Sequence, residues 1–105
     1  TMKRDKNLPL TETVYYILLA LLKPAHGYFV MQKVAELSDG QVRMAAGTLY
    51  GALETLLKRK FIKPVQTDDS RRKVYVITDE GKKILSLDCE RMSHMINVTP
   101  KEGLQ

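Results

Sequence analysis

The sequence predicts a small, mainly α-helical domain carrying one β-hairpin, with a longer helix at its C-terminal end. Two observations carry this reading. Four stretches repeat apolar residues at helical spacing, and between the third and fourth lies a run, Phe61 to Ile77, whose β-formers are split by the turn residues Thr67-Asp68-Asp69-Ser70. The length of 105 residues fits one folded unit with a modest core.

Residues 1–9, with Lys3, Arg4, Lys6 and Pro9, lack apolar periodicity and read as a flexible basic arm. Met2 is the expected natural start, with Thr1 added ahead of it. The first helix is expected from Thr11 to about Leu22, with Thr11 as N-cap, Glu12 in the first turn and Pro24 beyond the end. Val14, Ile17, Leu18, Leu21 and Leu22 form one stripe, and Tyr15, Tyr16 and Leu19 make much of the remaining surface apolar. A helix apolar on two sides needs two partners: either a second copy of the chain supplies one, or the domain buries both sides itself.

Ala25-His26-Gly27 is read as a short break, followed by a helix from Gly27 to Leu37 that buries Val30, Val34 and Leu37 and stops at Ser38-Asp39-Gly40. Gln41 to Met44 alternates polar with apolar and is a candidate edge strand. In the third helix Leu49, Leu53, Leu56 and Leu57 face the core, which turns Thr48, Tyr50, Gly51, Glu54, Thr55 and Lys58 outward. The strand from Phe61 to Gln66 is confined to a sheet edge by Pro64, and Arg71 to Ile77 returns beside it. Thr78 caps the fourth helix, Asp79 and Glu80 sit at the positive end of its dipole, and Gly81 weakens the first turn. This helix runs to about Asn97. Leu85, Cys89, Met92 and Ile96 make a seam, widened by Ile84, Leu87 and Met95, that suits helix pairing. Residues 98–105 form a tail.

Helix, helix, short strand, helix, hairpin, helix is the order of a winged helix-turn-helix, here occupying residues 10–78 with a dimerisation helix at 79–97. In that architecture the third helix enters a DNA major groove and the hairpin carries cations to the neighbouring backbone. The small residues Ala46, Gly47 and Thr48 permit close approach to phosphate, and Tyr50 offers a hydroxyl or a ring. Lys58 supplies general attraction, Arg71, Arg72 and Lys73 serve the wing, Lys3, Arg4 and Lys6 of the N-terminal arm are candidates to steer the approach to DNA, and Tyr28 at the start of the second helix is a further phosphate candidate. Seventeen Lys and Arg against twelve Asp and Glu give a net charge of +5, which favours polyanions.

Catalysis is not expected. His26, His94 and Cys89 lack metal-ligand spacing, and no glycine-rich phosphate loop or nucleophile and base pair is present. His26 is expected to cap the second helix or pack near Tyr28. No cofactor, metal or membrane partner is expected, and the absence of a signal peptide or long apolar run points to the cytoplasm. The alternative reading is a winged helix module for protein contacts, with RNA binding a third.

Together, Thr13 to Leu22, His26-Gly27-Tyr28, Gly47-Thr48-Leu49-Tyr50-Gly51-Ala52-Leu53, Arg72-Lys73-Val74-Tyr75 and Ile77-Thr78-Asp79-Glu80-Gly81 are specific. In this order and spacing the chain resembles the PadR family of bacterial transcriptional regulators, in its short form with one C-terminal helix, from Leu10 to about Met95. The resemblance implies a homodimer joined through the first and last helices, for which Val14, Tyr15, Leu18, Leu19, Leu85, Cys89, Met92 and Ile96 are the interface candidates. It also implies a repressor bound to double-stranded DNA at an inverted repeat and released by a small-molecule inducer. Members hold flat aromatic compounds between the last helices, sometimes against tryptophan. This chain has no tryptophan, so Tyr16, Met92 and Met95 are the candidates for a different apolar pocket.

Overall fold

A computed structural model describes residues 4–69 and 71–105; Lys3 of the expected arm and Ser70 of the expected turn lie outside them. The elements are α1 (Glu12–Ala20), β1 (Ala25–His26), α2 (Gly27–Leu37), α3 (Ala46–Lys58), β2 (Ile62–Val65), β3 (Val74–Ile77) and α4 (Asp79–Val98), with a short 3-10 turn at Glu102–Leu104. The three strands form an antiparallel sheet in the order β1-β3-β2.

Helix ends follow local chemistry. The Thr11 hydroxyl accepts the Val14 N–H at 3.1 Å to start α1, and the Thr78 hydroxyl accepts the Gly81 N–H at 3.0 Å to start α4. At the end of α2, Asp39 (φ 52°) and Gly40 (φ 78°) both turn left-handed. The Gly40 N–H then reaches the Ala35 carbonyl at 2.7 Å, capping the last turn. Helix α3 ends the same way without glycine: Lys60 takes φ 62°, and Phe61 donates back to the Leu56 carbonyl at 3.0 Å.

One core joins these elements. Ile17, Leu18 and Leu21 meet Val30 and Val34 of α2, Leu49, Leu53 and Leu56 of α3, Ile62 and Ile77 of the sheet, and Ile84 and Leu85 of α4. Gly81 lets α4 start flush against Phe61, just ahead of β2, and Ile77 of β3. A Cβ there would stand 2.1 Å from the Phe61 carbonyl oxygen, so the glycine that weakens the first turn is required by packing.

Several expectations are corrected. Gln41 to Met44 is not a strand, because Val42 turns into the core and its N–H is held at 2.9 Å by the Ser38 hydroxyl. The third strand is instead Ala25–His26, pairing with Tyr75 and Val74. Leu37 is 39% exposed rather than buried. The wing cations Arg71, Arg72 and Lys73 precede β3 and form the turn.

Among the described residues, the stretch from Asn7 to Leu10 just before α1 is held to the body. Leu8 and Leu10 pack on the core, Arg59 donates to the Asn7 side-chain carbonyl at 3.2 Å, and the Leu10 N–H reaches Asp88 Oδ2 at 3.4 Å. Asp88 is 1% exposed and is also held by Arg91 of the following turn.

The interface candidates divide. Leu18 is wholly buried and Leu85 is 7% exposed, so both belong to the chain's own core and neither presents its side chain to a second copy. Val14 is half-buried and lines a hollow together with Ala52, Leu56 and Phe61. Tyr15 and Leu19 are half-buried beside Met92, while Cys89, expected to be covered on the seam, is exposed. Past Met92 the helix leaves the body, with Met95 and Ile96 exposed. The molecule is accordingly long, 54 × 32 × 20 Å, with a radius of gyration of 15.5 Å, where a compact domain of 100 residues has about 13 Å.

Candidate nucleic-acid interface

Helix α3 presents a low outer ridge. Ala46, Gly47, Thr48, Gly51 and Thr55 are exposed, and a Cβ on Gly47 or Gly51 would meet nothing within 4 Å. Thr55 folds its hydroxyl back onto the Gly51 carbonyl at 3.1 Å, which keeps the ridge low. Ala45 precedes the helix without a side-chain cap, so the first-turn N–H groups at Ala46, Gly47 and Thr48 face outward with the positive end of the helix dipole. Lys58 is exposed at the opposite end.

Beside the ridge lies an open cleft of about 780 Å³ between α3, the start of α2 and the wing. Tyr28, Tyr50, Arg71, Arg72 and Lys73 line it together with His26, Gly27, Glu54 and Tyr75. The sequence separation between Tyr28 and Lys73 is thus closed by the fold. Pairing of β1 with β3 does this, because it sets the start of α2 against the strand that leaves the wing.

Each lining side chain has a local cause for its place. His26 caps α2 through Nδ1, which accepts the Phe29 N–H at 3.4 Å, and its ring meets Phe29 edge-on at 6.5 Å. Tyr28 then projects from the first turn, 63% exposed. Tyr75 is buried in the central strand, where burial pushes its hydroxyl pKa up and the adjacent Tyr50 adds to the shift.

Asp69 organises the wing turn. Its carbonyl accepts from Thr67 at 2.9 Å and from the Arg72 N–H at 3.1 Å, while its carboxylate takes the Arg71 N–H at 3.0 Å. Arg71 Nε also stands 3.5 Å from that carboxylate, an exposed pair of little energetic weight. Among the described residues Arg72 and Lys73 make no ion pair. Their charge is therefore open to an outside anion.

Not every candidate joins this surface. Lys6 lies with Asn7, Arg59 and Phe61 in a separate hollow at the C-terminal end of α3, and Arg4 is exposed. On another face, Tyr15, Tyr16, Leu19 and Met92 line a groove of about 560 Å³ between α1 and α4, with Leu10, Glu12 and Asp88. Met95 is not part of that lining; its sulfur accepts from Arg91 at 3.6 Å. Burial, followed by hydrogen bonding to Cys89, pushes the Tyr15 hydroxyl up to about 12. Gly27, His26 and Glu54 were not anticipated as cleft residues. A histidine-glycine pair ahead of a helix is the signal that marks the first two.

Among the described residues no group of His, Cys, Asp and Glu could hold a metal ion, and no helix is long and apolar enough to cross a membrane.

Comparison with known proteins places these features. Residues 17–87 match the family model for the transcriptional regulator PadR-like family. A PadR family transcription regulator from Clostridium difficile R20291 is 26% identical, with 84% of this chain and 94% of that chain covered and a TM-score of 0.72. F93 from STIV, a winged-helix DNA-binding protein, shares the fold at 18% identity and a TM-score of 0.68, over 86% of this chain and 98% of that one. In sequence, 72 residues are 26% identical to an uncharacterised 37.1 kDa protein in transposon TN4556 of Streptomyces fradiae. That alignment takes 69% of this chain but only 20% of the relative's length. The family comprises transcription regulators and not enzymes. With a winged helix whose wing and third helix enclose a basic, tyrosine-lined cleft, and a family match over most of its length, the chain belongs to the PadR-like family of transcriptional regulators.

Proposed function

We propose that the chain binds double-stranded DNA as a homodimer at an inverted repeat and represses transcription there, α3 entering the major groove and the wing reaching the adjacent backbone. The cleft carries this reading. It sets two exposed tyrosines and two cations that make no ion pair among the described residues beside a bare, uncapped helix start, which suits phosphate positioning around a groove-reading helix.

Two further features support the assembled form. The last turns of α4 expose Met95, Ile96 and Val98, an apolar surface that a second copy would cover. The groove between α1 and α4, at about 560 Å³, is of the size that holds a small organic molecule, and an inducer there would act on the dimer. The setting is cytoplasmic.

Tyr50→Ala tests the interface. Affinity for an operator duplex, followed by fluorescence anisotropy, should fall about tenfold, equivalent to about 1.4 kcal/mol, while sedimentation shows the dimer intact. Unchanged affinity would remove Tyr50 from the interface. Binding that ignores duplex altogether would favour a module for protein contacts.

A further inference from the structure

Tyr50 is 51% exposed, and its ring lies over the first residue of α2. A Cβ built on Gly27 would stand 2.8 Å from Tyr50 Oη and 3.1 Å from both Cε1 and Cζ. Side-chain Cβ atoms essentially never stand that close to a non-bonded neighbour, so a side chain at residue 27 displaces the ring.

Gly27 is buried, and the three atoms nearest a Cβ there all belong to Tyr50. Among the described glycines only Gly40 has a positive φ, so the backbone of Gly27 suits any residue. Alanine is the better helix former. The other glycines make the contrast. At Gly81 an added Cβ meets a backbone carbonyl that cannot move aside, and at Gly47 and Gly51 it meets nothing. At Gly27 it meets the far end of one side chain, and that side chain lines the cleft.

We propose that Gly27 is a positioning residue for Tyr50: its bare Cα is the seat on which the ring rests, holding the hydroxyl over the start of α2 at the wall of the cleft. The seat couples the two helices of the helix-turn-helix through one aromatic side chain. Its effect on affinity rests on the DNA-binding reading above, whereas its effect on the ring does not.

The test is a cycle of Gly27→Ala, Tyr50→Ala and the double variant. Binding to an operator duplex is measured by anisotropy, and the free proteins are labelled with 3-fluorotyrosine for fluorine NMR. Gly27→Ala should shift the Tyr50 resonance, assigned with Tyr50→Phe, and leave those of Tyr15 and Tyr16 in place. It should also weaken binding about five- to tenfold, while the double variant binds no more weakly than Tyr50→Ala, as two residues acting through one contact require. Should Gly27→Ala lower the melting temperature, recovery in the double variant supports the seat and no recovery overturns it. An unmoved Tyr50 resonance, or losses that add in the double variant, would also overturn it. Failure of the unaltered protein to bind any duplex would defeat the DNA reading, and the fluorine resonance would then decide the seat alone.

Discussion

Replacing Arg72 and Lys73 together by glutamine removes two charges from the cleft while keeping side-chain length. Both residues are exposed and line the cleft, and neither has an ion-pair partner among the described residues, so the fold should barely register the change. Exposed substitutions of this kind stay within about 0.5 kcal/mol. Binding should register it strongly. Each phosphate neutralised contributes about 0.9 to the slope of log affinity against log salt, so two per protomer in a dimer amount to roughly 3.6. From 50 to 200 mM salt, a fourfold change, the unaltered protein should then lose about 150-fold more affinity than the variant. Anisotropy titrations on one operator duplex at four salt concentrations measure both slopes. Equal slopes would refute the reasoning, and equal slopes with equal affinity would place the wing away from DNA.

Other consequences follow from packing. Gly81→Ala drives a Cβ into the Phe61 carbonyl, which already accepts the Thr78 N–H at 2.9 Å. Urea unfolding should show a loss of about 1–3 kcal/mol, and a loss under about 0.5 kcal/mol would mean that α4 can back away from Phe61. Lys60→Gly relieves a left-handed residue at the end of α3 (φ 62°) and should raise stability by about 1 kcal/mol, read from the melting temperature. Asp88→Ala leaves the Leu10 N–H and Arg91 without their buried acceptor; a cost of about 1–3 kcal/mol is expected, with faster amide exchange at Leu10. Protected exchange there would show that Asp88 does not hold the N-terminal segment.

The Tyr15 hydroxyl supplies a pH test. Its folded pKa of about 12 lies above the unfolded value of 10.0, so the folded chain binds more protons between them. The stability it contributes is fully present below about pH 10 and is lost as pH rises through about 12. Tyr15→Phe should flatten that decline and remove a late step from the phenolate absorbance titration. An unchanged titration would show that Tyr15 is not the buried phenol.

Much of the fold was legible because its punctuation is local. The Gly27 start and Ser38-Asp39-Gly40 stop bound α2, Thr78 begins α4, and Pro64 lies on an edge strand. What escaped is tertiary. The strand Ala25–His26 is too short for any pattern and exists because β3 had an open edge. Alternation over Gln41 to Met44 reflected one buried valine, not a ladder. Leu18 shows the limit of periodicity on a helix apolar on two sides: spacing does not tell which side faces the chain's own core. Asp88 falls between seam residues and is invisible as a buried anchor until Leu10 is seen to donate to it. Within the cleft, Tyr28, Tyr50 and the wing cations were individually legible, but the seat beneath Tyr50 requires the distance between two helices.

The central claim is sequence-specific recognition of duplex DNA by a dimer. Selection of bound fragments from the source genome, at near-physiological salt with excess nonspecific duplex, tests it most directly. Enrichment of a short inverted repeat beside a promoter is the predicted result, with half-sites about one helical turn or a multiple apart, 34–36 Å per turn. A folded dimer that enriches no sequence under these conditions would contradict it.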